Sequence, residues 1–246
     1  HGRTGMNVPN EPPVIDTAAN PVRRPEIHRT IAQGTAAPVV REGSTRSATL
    51  LVVASMVLLW LAFTPVDWGF LAWIALVPIS QLLRLRTLPV RCYFVTWCVA
   101  FVWALLTLQW MRLGHPAMYL ALAALAFYVA LYVPAFVGLG RRCVQTGMPL
   151  WLAVPVVWTA LEYVRSWMIT GFAWYFLGHT QYRWSALIQV CDVTGVYGVT
   201  FLVALVSGAV TVSIPASWLQ RMRLSIDINA THASMNRIQW RPLIIA

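Results

Sequence analysis

The chain has 246 residues, 59% of them hydrophobic and only 11% charged, with a formal net charge of +10. A soluble domain carries nearer 25% charged residues, so this surface lacks the polar groups to face water, and lipid is its natural solvent. All 18 basic residues are Arg and none is Lys; they stand between apolar runs and not on an aromatic-laced basic face, which excludes a nucleic-acid partner and points to membrane-flanking charge.

The chain opens on His1, and a fragment or a processed product is expected. Residues 1–46 are rich in Pro, Arg, Thr and Ala and show no apolar periodicity. Such a segment cannot bury enough surface to offset its chain entropy, and a disordered leader is expected there. It is too long for the charged start of a signal peptide, so the first apolar run is read as a retained anchor. Residues 47–246 are expected to form an all-α, polytopic transmembrane helical bundle.

Six apolar runs follow, at 47–63, 68–83, 92–111, 117–139, 150–168 and 195–218. A full crossing takes about 20 residues, because ~30 Å of hydrocarbon is spanned at ~1.5 Å per residue. The first two runs are short and are expected to form a helical hairpin joined at 64–67. A seventh run begins at Pro242. Arg84, Arg86 and Arg91 follow run two, Arg141 and Arg142 follow run four, and Arg221, Arg223, Arg237 and Arg241 follow run six. The alternate loops hold Arg112 and Arg183 only. This alternation predicts six spans with a cytoplasmic N-terminus.

Signatures of soluble enzymes are absent: no phosphate loop, dinucleotide fingerprint, HExxH or GxSxG occurs. Cys92, Cys98, Cys143 and Cys191 form no CxxC pair and no cluster with His, so neither a disulfide framework nor a metal site is expected. No cofactor is implied. Polar groups at membrane depth carry more information because they are costly there. Glu162 and Arg165 stand at i, i+3 on run five, on one helix face, where they can pair. That pair either locks helix packing or contacts substrate. Gln109 reads as an interhelical hydrogen-bonding group, and Asp67 as a span end where capping or solvation suffices. Residues 170–198 are semi-polar, aromatic and broken by Gly171, Gly178, Gly195 and Gly198; they suit an interfacial or re-entrant stretch that could hold lipid.

That stretch carries a resemblance. Glu162, Arg165 and Trp167, then Thr170-Gly171-Phe172-Ala173-Trp174 and Leu177-Gly178-His179-Thr180-Gln181, resemble the bacterial apolipoprotein N-acyltransferases. In that family Pro is usual where Ala173 stands and Tyr where His179 stands. Gly195-Val196-Tyr197-Gly198, Leu61-Ala62-Phe63-Thr64-Pro65-Val66-Asp67 and Trp240-Arg241-Pro242 are similar to further family stretches, in the family's order. The similarity covers about residues 48–246. It implies transfer of an acyl chain from a phospholipid to the N-terminal cysteine of a lipoprotein, with both as partners. It also implies a nitrilase-like catalytic domain with Glu, Lys and a nucleophilic Cys. This chain has no Lys and ends before that domain would start, so no catalytic residue is carried over and the fragment alone is expected to be inactive. Glu162, Arg165, Trp174 and Gln181 are the candidate substrate- or lipid-binding residues. Two other readings fit the same residues. One is a small transporter or lipid-binding scaffold with Gln109, Glu162 and Arg165 lining a pathway. The other is a membrane half that works with a separate transferase.

Overall fold

The computed structural model describes residues 1–2, 45–63, 65–85 and 87–222. The expected leader lies almost wholly outside the described residues, and so do the seventh run at Pro242 and the Arg residues beyond Met222. Among the described residues the fold is helical, and the expected all-α bundle is what the chain forms.

Five helices make the frame: α1 (Thr45–Ala62), α2 (Val90–Leu108), α3 (Met118–Gln145), α4 (Leu150–Arg165) and α5 (Val196–Ser213). Pro89 and Pro149 immediately precede α2 and α4; proline cannot continue a preceding helix but fits the start of a new one. Gly147 ends α3 with φ 99°, and the Met148 N–H turns back to the Cys143 carbonyl at 2.9 Å, the hydrogen-bonded reversal that left-handed glycine permits. Four helices are long and apolar enough to cross a membrane: α1, α2 with its extension to Leu113, α3 and α5. Runs two and five, expected as further spans, fall short of that length. Run five is the 16-residue α4.

Run two is a broken segment, Gly69–Arg84, made of Gly69–Leu71, Ala72–Ala75, Val77–Ser80 and Gln81–Arg84. Pro78 supplies no N–H, and the ladder parts around Leu76. Neighbouring helices satisfy the freed backbone groups. Ser55 on α1 accepts the Ile79 N–H at 2.9 Å, and Ser207 on α5 donates to the Trp73 carbonyl at 2.7 Å. A broken helix survives at apolar depth only with such partners.

The tightest packing joins α4 to α5 and α2 to α3, with α1 laid against α2 and the broken segment. At Gly208 a Cβ would stand 2.7 Å from the Trp151 carbonyl, so α4 and α5 cross at backbone contact. Small residues at such crossings let helices approach in lipid, where water supplies no drive to associate.

Two arginines read from sequence as loop charge are structural. Arg84 is buried and donates from Nη1 to the Ile214 carbonyl at 2.9 Å and to Gln81 Oε1 at 3.0 Å, at the C-terminal end of α5. Arg141 is also buried, with Nη1 on the Tyr93 hydroxyl at 2.9 Å and Nη2 on the Leu85 carbonyl at 3.1 Å. A cation placed on the last carbonyls of a helix satisfies orphan acceptors and the helix dipole together.

Candidate functional site

At the other end of the bundle, residues 168–181 leave α4 and fold back over its C-terminus. Three residues in this stretch have left-handed backbone: Ile169 (φ 50°), Gly171 (φ 79°) and Tyr175 (φ 57°). Glycine takes that conformation freely, whereas β-branched Ile169 is an outlier there. Strain of this kind persists only where surrounding contacts enforce it, and two buried charged groups do so.

Glu162 is 4% exposed. Its Oε1 accepts the Trp158 indole N–H at 2.8 Å and the Leu177 N–H at 2.8 Å, while Oε2 accepts the Thr200 hydroxyl at 2.7 Å. Thr200 in turn accepts the Gly178 N–H at 2.9 Å. The carboxylate thus ties α4, α5 and the start of the Leu177–Gln181 turn into one node. Arg165 is 6% exposed. Its Nη2 reaches the Trp174 carbonyl at 3.3 Å and the Tyr175 carbonyl at 3.2 Å. Its guanidinium lies 5.0 Å from the Phe176 ring centroid and 5.8 Å from that of Tyr132, a cation–π setting for a charge removed from water.

The expected Glu162–Arg165 pair is therefore corrected. The two share a helix face, but among the described residues no ion pair joins them. Each hydrogen-bonds the loop instead, Glu162 at Leu177 and Arg165 at Trp174 and Tyr175, because the loop offers backbone donors to one and carbonyls to the other. Gln181, at the far end of the loop, is fully buried. Its Oε1 accepts the Trp73 indole at 3.0 Å and its Nε2 donates to the Gly69 carbonyl at 2.8 Å, so it docks the loop onto the broken segment. Trp174 is the exposed member of the set, 55% accessible, with its ring stacked on Trp110 at 5.1 Å. The structure thus joins Glu162, Arg165, Trp174 and Gln181 through one loop, with only Trp174 presented outward. Gln109 stands apart, exposed after α2, and does not join Glu162 and Arg165 in a pathway.

Sequence reading missed several members. Tyr175 is wedged between α1 and α2: its ring meets Phe63 edge-on at 5.3 Å and its hydroxyl donates to the Thr107 carbonyl at 3.2 Å. Asp67, expected to be a capped or solvated span end, accepts the Tyr182 hydroxyl at 2.6 Å and pairs with Arg183. The Tyr182 hydroxyl, with the Arg183 charge beside it, holds the Asp67 carboxyl below its ordinary value. Only the i, i+4 spacing of Trp158 and Glu162 was available in the sequence as a signal.

Two spaces border this loop, and a third lies on the outside of the bundle. A pocket of about 520 Å³ opens beside Phe63, Asp67, Trp174, Tyr175, His179 and Tyr182, a size usual for small-molecule sites. A cavity of about 30 Å³ lies inside the bundle beneath Arg165, Tyr132 and Trp103, enough for one or two waters at most. A groove of about 440 Å³ runs down the outside between α1 and α2. The arrangement suits holding an amphipathic molecule. It is not a nucleophile's setting, since both Glu162 oxygens are engaged by donors.

A family model described as the apolipoprotein N-acyltransferase N-terminal domain matches residues 55–209, which contain the whole loop and both charged groups that hold it. The apolipoprotein N-acyltransferase of Geobacter metallireducens is 38% identical over 164 residues, 63% of this chain and 31% of the relative. That of Rhodopirellula baltica is 33% identical over 168 residues, 63% of this chain and 29% of the relative. That of Photobacterium profundum is 30% identical over 206 residues, 78% of this chain and 38% of the relative. The chain thus spans about a third of the length of the curated relatives it matches.

Proposed function

The chain belongs to the apolipoprotein N-acyltransferase family, and on that premise we propose that it is the membrane-embedded part of such an enzyme. In this reading the donor is a phospholipid and the acceptor is the N-terminal cysteine of a lipoprotein. The pocket under Trp174 and Tyr175 receives the polar end of the lipid. Glu162, Arg165 and Gln181 act as positioning residues that fix the loop, and Trp174 contacts the lipid. Runs two and five complete six crossings of the inner membrane with a cytoplasmic N-terminus, which brings the pocket to the outer face. The chemistry of acyl transfer resides in the part of the relatives that this chain does not cover, so residues 1–246 alone do not catalyse it.

One observation carries the reading: the matched region includes a strained loop held by two buried charged groups beside an open pocket at the end of the bundle. Two experiments test it. The gene is read downstream of Ala246, and its complete frame is expressed in a bacterium depleted of its own apolipoprotein N-acyltransferase. Restored growth and N-acylation of a diacylated lipopeptide are expected from the complete frame and not from residues 1–246. Failure of the complete frame would overturn the assignment, and acylation by residues 1–246 alone would overturn the division of labour.

A further inference from the structure

The groove between α1 and α2 lies well away from the charged loop, and its wall is aliphatic and aromatic: Val53, Val57, Trp60, Cys98, Val102 and Leu106. Its direction can be fixed from two contacts. Tyr175 touches Phe63, just beyond α1, and Thr107, at the end of α2. The two helices therefore end side by side, and the groove climbs from their middles toward Tyr175. Val53 is the ninth of the 18 residues of α1, and Trp60 lies two residues from its end. At ~1.5 Å per residue the walls from Val53 to Trp60 and from Cys98 to Leu106 run about 10–12 Å. That is close to the depth of one leaflet, half of the ~30 Å hydrocarbon core.

Three features set this groove apart from an ordinary gap at a lipid-facing surface. It leads upward to the residue that roofs the polar pocket, since Tyr175 and Phe63 line that pocket too. Its inner wall is Trp103, 8% exposed, which is also a wall of the cavity beneath Arg165. Among the described residues, the indole N–H groups of both Trp60 and Trp103 are buried without an acceptor, although a buried donor is costly to leave unpaired. Trp60 stands at the upper end of the groove, two residues from the end of α1.

We infer that this groove seats one acyl chain of a bilayer glycerophospholipid, lying along α1 and α2 with its ester end at Trp60 and its headgroup in the pocket under Tyr175. Trp103 is the partition between that chain and the interior cavity. The inference rests on the acyl-transfer reading above and adds to it the path of the donor's chain, approaching from the α1–α2 side.

The chain is reconstituted in nanodiscs of phosphatidylethanolamine and phosphatidylglycerol carrying a trace of phosphatidylethanolamine with a diazirine in one acyl chain. After irradiation, labelled peptides are mapped by mass spectrometry. Labelling of Val53–Trp60 and Cys98–Leu106 is expected to exceed several-fold that of the exposed α3 positions Phe127 and Leu131. Val57→Trp and Val102→Phe, which fill the groove from its lipid side, should each bring labelling down to the α3 level, while Leu131→Trp should not. Equal labelling of the groove and α3 in the parent chain would overturn the inference, leaving only bulk lipid contact. Oxidative crosslinking of Cys98 between copies at the expense of lipid labelling would overturn it in favour of a homotypic interface. The outcome separates from that of the growth test. A groove that labels as expected in a protein whose complete frame restores no growth keeps the lipid seat and removes the acyltransferase reading. Uniform labelling beside restored growth removes the seat alone.

Discussion

Replacing Glu162 with Ala removes one carboxylate and strands three buried donors: the Trp158 indole, the Leu177 N–H and the Thr200 hydroxyl. Interhelical hydrogen bonds in membrane bundles average about 0.6 kcal/mol and reach about 1.7. Of the three bonds here only that of Thr200 joins two helices; taking all three on the same scale gives about 2 kcal/mol at the average and about 5 at the maximum. The upper part of that range applies, because the donors have no water to turn to. At roughly 2–4 °C per kcal/mol for a chain of this size, the midpoint should fall by about 6–20 °C. Glu162→Gln is the control. Its carbonyl oxygen can keep Trp158 and Leu177, and only the Thr200 hydroxyl must turn, so it should lose no more than a third as much. Thermal unfolding in detergent, followed by a thiol-reactive dye that reports exposure of the buried Cys92, measures both variants. A midpoint for Glu162→Ala within about 2 °C of the parent would refute the claim that the carboxylate ties α4, α5 and the loop together.

Other substitutions probe the remaining contacts. Arg165→Lys keeps the charge but loses the planar group stacked between Phe176 and Tyr132 and its reach to two carbonyls; limited proteolysis should cut residues 172–176 several-fold faster, while α3 stays protected. Gly208→Ala places a methyl 2.7 Å from the Trp151 carbonyl and should cost about 1–3 kcal/mol by forcing α4 and α5 apart, read as a lowered unfolding midpoint. Gly178→Ala meets the Val196 carbonyl at 2.7 Å and should expose the loop to protease with a smaller effect on α3. Asp67 links two loops through a carboxyl held below its ordinary value of 3.8. A depressed native value means the clamp is fully present above that ordinary value and is lost as pH falls through the lower one. Protease sensitivity of residues 174–183 should therefore be flat from pH 8 to about 5 and rise only below about 4. Asp67→Asn should show the raised sensitivity at every pH.

The helical class and the starts of the helices were legible because apolar runs and prolines act locally. Pro89 and Pro149 announce helix starts whatever surrounds them. The shared face of Glu162 and Arg165 was legible too, since i, i+3 spacing is a property of the helix alone. Their partners were not. The donors that reach Glu162 come from Leu177 and Thr200, 15 and 38 residues away, and nothing in local spacing tells a carboxylate that a backbone N–H will arrive before a guanidinium does. Run two reads as one apolar helix, yet it breaks at Pro78 because Ser55 and Ser207 stand ready to satisfy what the break exposes. Arg84 and Arg141 illustrate the same blindness in the loops. Counting them as membrane-flanking charge ignores that each is folded inward onto carbonyls of another segment.

The two short members of the bundle bear on the shape of the membrane around it. Gly69–Arg84 and α4 each have 16 residues; for α4 that is about 24 Å of α-helix against ~30 Å of hydrocarbon. Both hold the same loop, one through the Gly69–Gln181 bond and the other through Arg165. A crossing that falls short by about 6 Å is met by thinning of the bilayer beside it, at a fraction of a kcal/mol per Å. On the proposed topology the outer leaflet is drawn down into a dimple around Trp174 and Tyr175. On that topology a lipid at the pocket would already be displaced from the plane of its neighbours, and less of its chain would have to leave hydrocarbon for its ester to reach the proposed site.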